Sequence, residues 1–163
     1  MDVLLGDEAV ARTRALQTTI GQVDAKRDQG QRIAKNFGEL REIEFWRVRL
    51  EKRIVRKLDE ERVEKWSLYT DASATGIGAV LKDENGRVKT RLSSTGSGNF
   101  KNESSALREL RAVEWALRIL AGYLTGNVTC FSDSSAAVAI LNRGSTKTEL
   151  QNVAWETWAS AER

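Results

Sequence analysis

The chain has 163 residues, with 26 Lys and Arg against 23 Asp and Glu for a formal net charge of +3, five Trp, one Cys, and neither His nor Pro. That length accommodates one domain plus an appendage and a sizeable core. The composition excludes imidazole catalysis, Ser-His and Cys-His nucleophiles and an intrachain disulfide, and it leaves acidic side chains as the available chemistry. The mild basicity is compatible with a polyanionic partner without demanding one. The start, MDVLLGDEAV, is acidic and its apolar part too short for a secretory signal, and no window approaches the roughly 18 apolar residues of a membrane span. A soluble, intracellular protein of the cytoplasm or nucleus, with no membrane partner, is expected.

Residues 7 to about 64 carry no strand signal, and their charged, long-chain composition predicts helices broken near Gly21, Gly30 and Gly38. Ile43, Trp46, Leu50 and Ile54 fall at helical spacing as one apolar stripe. Arg47, Arg49, Lys52, Arg53, Arg56 and Lys57 form a basic remainder interleaved with Glu. Mixed charge favours a solvated face laced with ion pairs over a phosphate track.

From Trp66 the texture changes. Strands are predicted over Trp66–Ala72, Gly76–Lys82 and Arg87–Ser93, with short connections through Ser73 and through an Asn85-Gly86 turn, giving an antiparallel meander. Gly76, Gly78 and Ala79 leave little side chain in the second strand, as if another backbone or a ligand came close. A Ser/Gly/Asn loop ends at Asn102, which is expected to cap a helix with Glu103 in its first turn. Ala106, Leu110, Val113, Leu117, Leu120 and Leu124 form the stripe of that helix, ended by Gly126. A buried strand over Val128–Phe131 follows, then a helix over Ser134–Asn142 closed by Gly144. A last amphipathic helix is predicted through Leu150, Val153, Ala154 and Trp158, opened by a Thr146–Glu149 capping box. Cys130 reads as a small buried hydrophobe. Trp46, Trp66, Trp115, Trp155 and Trp158 read as core or packing residues ahead of base-stacking platforms.

Asp71 is an acid inside an apolar, β-prone run, so it must cap a turn, pair with a cation or bind metal. Two other acids bear on the choice. The order strand, strand, strand, helix, strand makes the first and fourth strands parallel neighbours joined by a crossover helix. Asp71 and Asp133 then lie at the ends of those strands, and Glu109 lies on the margin of the helix's buried face, so the three can converge. Clustered carboxylates repel one another unless a hard divalent cation sits among them, and magnesium is the natural occupant. Two such ions can support phosphodiester hydrolysis without histidine.

The segments YTDASATGIGAVL, SSALRELRAVEWAL, CFSDSSAAVAILNRGS and ELQNVAWETW resemble the ribonuclease H domain attached to reverse transcriptases of retrotransposons, especially metazoan elements with a RELRAV helix. TTIGQV and ELREIEFWRVRL are similar to the segment linking polymerase and ribonuclease H in those elements, so the likeness covers nearly the whole chain. The resemblance implies an α/β, ribonuclease H-like mixed sheet of three antiparallel strands plus a parallel fourth, with flanking helices and an N-terminal helical arm. Residues 1–64 would be the connection segment and 65–163 the ribonuclease H-like domain. It further implies that Asp71, Glu109 and Asp133 are catalytic residues holding Mg2+, with Mn2+ as an alternative, for endonucleolytic cleavage of the RNA strand of RNA:DNA hybrids. Ser73, Ser105 and Ser135 would contact the hybrid, with surface or capping roles as the competing assignment. The polymerase region of the parent element would be a further partner. Relatives carry a fifth strand and a later helix with a fourth carboxylate, and the chain is expected to be truncated before these. Ser134 stands where Asn is common. A non-catalytic module binding nucleic acid or protein is the alternative function.

Overall fold

The computed structural model describes residues 10–26, 37–51, 64–95 and 98–162. The helical arm comprises α1 (Arg14–Lys26) and α2 (Phe37–Glu51). Then follow β1 (Lys65–Ala72), β2 (Gly76–Lys82), β3 (Val88–Thr95), a 3-10 turn (Gly98–Asn102), α3 (Ser105–Leu120), β4 (Asn127–Phe131), α4 (Ser135–Arg143) and α5 (Thr148–Ala161). Among the described residues no helix is long and apolar enough to cross a membrane.

The strands form one mixed sheet in the order β3-β2-β1-β4. The β1–β2 and β2–β3 pairs are antiparallel and β1–β4 is parallel. Alternation along β1 sends Trp66, Leu68 and Thr70 to one face, where they are buried, and Tyr69 and Asp71 to the other, where they are exposed. Leu68 pairs with Leu81 of β2, and both are fully buried. The stripe of α3 covers this face, with Val113, Ala116, Leu117 and Leu120 packed against Trp66, Leu68 and Leu81. The Trp66 indole donates to the Thr125 carbonyl at 2.8 Å, so the ring is buried without an orphaned N–H. On the far side of α3, Leu107 and Leu110 meet Ala137 and Val153 of α4 and α5. Among the described residues the outer edge of β4 has no strand partner.

Turn chemistry sets the register. Asp83 accepts from the backbone N–H of Asn85 at 3.0 Å and of Arg87 at 2.9 Å, and Gly86 takes φ 76°. A Cβ on Gly76 would stand 2.9 Å from the Ser94 carbonyl oxygen, so the close approach expected there is that of the β3 backbone.

Several element ends differ from expectation. The cap of α3 is Ser104, whose hydroxyl accepts from the Leu107 N–H at 3.3 Å, because the 3-10 turn takes up Asn102. That helix stops at Leu120, where the N–H groups of Tyr123 and Leu124 both close on its carbonyl. The Thr146–Glu149 box does not form. The cap position is Lys147, and the Gln151 side chain takes the Ser145 N–H at 2.6 Å instead.

The arm holds the largest departures. Gly21 lies inside α1 and Gly38 inside α2, and neither breaks its helix; Gly30 lies outside the described residues. Ile43 and Leu50 of the expected stripe are exposed, and the buried side chains of α2 are Glu39 and Glu42. Glu42 accepts from the Ala15 and Leu16 N–H groups, each at 2.9 Å, and thereby satisfies open donors at the start of α1. The contact of α2 with α1 thus runs through a carboxylate, while Phe45 packs α2 onto Trp155 of α5. Arg47 is exposed and ion-paired to Glu44 and Glu51, as a solvated face requires, while Lys52, Arg53, Ile54, Arg56 and Lys57 lie outside the described residues.

Candidate metal centre

Asp71 sits near the end of β1, on the face opposite the core, paired in register with Gly78, which has no side chain to crowd it. Asp133 follows β4 just before α4, and Glu109 lies in the second turn of α3. Their carboxylate oxygens lie within 4.8 Å of one another. The parallel β1–β4 pair brings both strand ends to one sheet edge, and the crossover helix carries Glu109 across it.

The three differ in environment. Asp71 and Asp133 are exposed, whereas Glu109 is only 3% exposed. The Glu109 carboxylate accepts from the Ala72 N–H at 3.1 Å and from the Ser132 hydroxyl at 3.3 Å. Burial raises its pKa above the usual carboxylate range, the charges of Asp133 and Asp71 add to the rise, and the two hydrogen bonds oppose it. A hard divalent cation relieves such a site, and an all-oxygen donor set fits magnesium or manganese. Two neighbouring acids are spent elsewhere, Glu103 ahead of α3 on Arg111 and Glu114 within α3 on Arg118, each at 3.1 Å.

The serines separate. Ser105 and Ser135 are exposed at the first positions of α3 and α4, and the caps are their neighbours Ser104 and Ser134. Ser73 organises the β1–β2 turn, its hydroxyl accepting from the N–H groups of Thr75 at 3.2 Å and Gly76 at 3.0 Å. Of the tryptophans, Trp66, Trp155 and Trp158 are buried and Trp46 and Trp115 half-buried. Cys130 is half-buried against the core, and burial pushes its thiol up to about 11.

Two features escaped the sequence. Ser132 contacts Glu109, and the Ser-Asp-Ser run leading into a helix was the signal available for it. Tyr69 and Phe131 stack on the exposed face beside Asp71, with ring centroids 4.7 Å apart and planes at 12°, and Lys82 stands 4.5 Å from the Tyr69 ring. The register Tyr69↔Phe131 in the parallel pair makes this contact. A cavity of about 230 Å³ between α3, β4 and α5 contains none of the three acids.

A family model for the RNase H-like domain found in reverse transcriptase matches residues 62–159, more than half of the chain. The chain belongs to this family. All three acids of the cluster fall inside the matched region. Over 70 residues the chain is 44% identical to the retrovirus-related Pol polyprotein from transposon gypsy of Drosophila melanogaster, a match covering 42% of this chain and 7% of the polyprotein's length. The chain is therefore an RNase H-like domain of a retroelement reverse transcriptase, spanning a small part of that curated relative. Similar solved structures include an RNase H1 of the halophilic archaeon Halobacterium salinarum, at 13% identity and TM-score 0.49, covering 61% of this chain and 76% of that one. The prototype foamy virus protease-reverse transcriptase matches at 15% identity and TM-score 0.45, covering 93% of this chain and 20% of that one. A foamy viral protease-reverse transcriptase in complex with an RNA/DNA hybrid matches at 12% identity and TM-score 0.42, covering 84% and 24%.

Proposed function

We propose that this domain hydrolyses the RNA strand of RNA:DNA hybrids endonucleolytically, with Asp71, Glu109 and Asp133 holding divalent magnesium, or manganese in its place. The observation that carries this reading is the approach of three carboxylates to within 4.8 Å at one sheet edge, one of them buried. Divalent ions bound there supply water activation and offset charge on the departing oxygen. Glu109 forms the inner wall of the site, fixed by the hydrogen bonds from Ala72 and Ser132, and the exposed Asp71 and Asp133 face the side from which a phosphodiester arrives. No histidine exists in the chain to act as a base.

Ser105 and Ser135 are the proposed hydroxyl contacts to the hybrid. Ser73 is the weaker third, because its hydroxyl already serves its own turn. Such contacts recognise shape and the 2'-hydroxyl, so cleavage would have no sequence preference. Residues 1–64 are assigned as the connection to the polymerase region of the parent element and 65–163 as the ribonuclease H-like domain. The exposed Phe37, Leu40 and Leu50 of α2 favour a second reading, a module that binds hybrid or a protein partner without cleaving.

A labelled RNA:DNA hybrid incubated with the protein and MgCl2 tests both. Cleavage of the RNA strand is expected, with loss in Asp71→Asn. Hybrid binding with no cleavage above the Asp71→Asn level leaves only the second reading.

A further inference from the structure

Glu109 is held by the immediate chain neighbours of the other two acids. Ala72, which follows Asp71, donates its N–H to Glu109 Oε1, and Ser132, which precedes Asp133, donates its hydroxyl to Oε2. The Ser132 Oγ in turn accepts from the Ser134 N–H at 3.2 Å. A serine hydroxyl has one proton, and with an N–H already pointing at its oxygen, that proton is directed at the acceptor-only carboxylate. Ser134 is itself fixed, since its own Oγ caps α4 by accepting from the Ala137 N–H at 3.2 Å.

We infer that Ser132 is a positioning residue for the metal-binding cluster, its hydroxyl locking the buried Glu109 carboxylate to the turn that carries Asp133. This rests on the metal reading given above. The competing role is purely local: the Ser132 oxygen closes the turn onto Ser134, and the contact with Glu109 is incidental. The two differ in consequence. Closing a turn affects folding whether or not metal is present. Holding Glu109 in register with Asp133 sets how well three oxygens meet one cation, and loss of such an outer hydrogen bond typically weakens metal binding about 10- to 100-fold.

The test titrates MnCl2 into the full chain by calorimetry, with melting of each metal-free variant alongside. Ser132→Thr keeps the hydroxyl, while Ser132→Val has the same shape without it and Ser132→Ala removes it outright. The expected result is a Mn2+ dissociation constant raised about tenfold in Ser132→Val and Ser132→Ala and restored to within about twofold by Ser132→Thr. Wild-type affinity in Ser132→Val, or equal weakening in Ser132→Thr and Ser132→Val, overturns the inference while the metal reading stands. Absence of Mn2+ uptake by the wild-type chain overturns the metal reading itself and this inference with it.

Discussion

Replacing Glu109 by Gln should stabilise the metal-free protein, although Glu109 is buried and hydrogen-bonded. At the 4.8 Å separation within which the carboxylate oxygens lie, Coulomb repulsion between two charges is about 1 kcal/mol at the dielectric of water and about 3.5 kcal/mol at an effective value of 20. Asp71 and Asp133 are exposed, so the lower figure applies, and the two pairs together give about 2 kcal/mol of repulsion that the amide removes. Against this, the bonds from Ala72 and Ser132 change from a charged to a neutral acceptor, a loss of about 1 kcal/mol each, which relief of the buried charge's desolvation offsets in part. The amide can keep both contacts by accepting from Ala72 and donating to the Ser132 oxygen. The net gain is about 1 kcal/mol, or about 2 to 4 °C in Tm for a chain of this size. Calorimetry in EDTA at neutral pH reads it directly, and a second scan in MgCl2 should raise the wild type and leave Glu109→Gln nearly unmoved. A variant that melts below the wild type in EDTA, or that gains as much from MgCl2, would refute the idea that a charge on Glu109 is unfavourable in the metal-free cluster.

Gly144 closes α4 at φ 72°, and a Cβ there would stand 2.8 Å from the Ala11 carbonyl oxygen and 3.0 Å from Gln151 Oε1. Gly144→Ala should therefore cost about 3 kcal/mol in urea denaturation, and a loss below about 0.5 kcal/mol would show that the loop relaxes freely. Burial raises the pKa of Glu42 above its ordinary 4.5, so the folded state holds that proton more tightly than the unfolded state. This contribution is fully present below pH 4.5 and is lost as pH rises through the raised folded value. Urea midpoints measured upward from that pH should fall with a shallower slope in Glu42→Gln than in the wild type. Glu109 contributes with the same sign, so some slope remains, and identical slopes would contradict a buried, proton-retaining Glu42.

The sheet was legible because its signals are local. Alternation from Trp66 to Thr70, the Asn85-Gly86 turn and the stripe from Leu110 to Leu120 each encode one element, and the helical crossover that follows the meander then makes β4 a parallel neighbour of β1. The meeting of Asp71, Glu109 and Asp133 followed from that topology together with the position of Glu109 on its helix. The arm was misread because its two helices meet by another rule. Periodicity finds apolar faces, but α2 meets α1 through Glu42 on the N–H groups of Ala15 and Leu16, residues 27 and 26 positions away. A buried acid leaves no periodic trace. Ser132 was missed for a related reason: a single hydroxyl in a Ser-rich run acquires meaning only when Glu109 arrives from another element.

Arg12 is only 4% exposed, with its guanidinium over the rings of Phe45, Trp155 and Trp158 at 4.2, 5.1 and 5.1 Å and an ion pair to Glu162. The arm therefore serves as a lid on the indoles of the final helix, and Ala11 is packed into the same apolar cluster. A clone that begins at Lys65 would keep every carboxylate of the candidate centre yet bare two tryptophans to water. Its solubility, and not its chemistry, would be the first property to suffer.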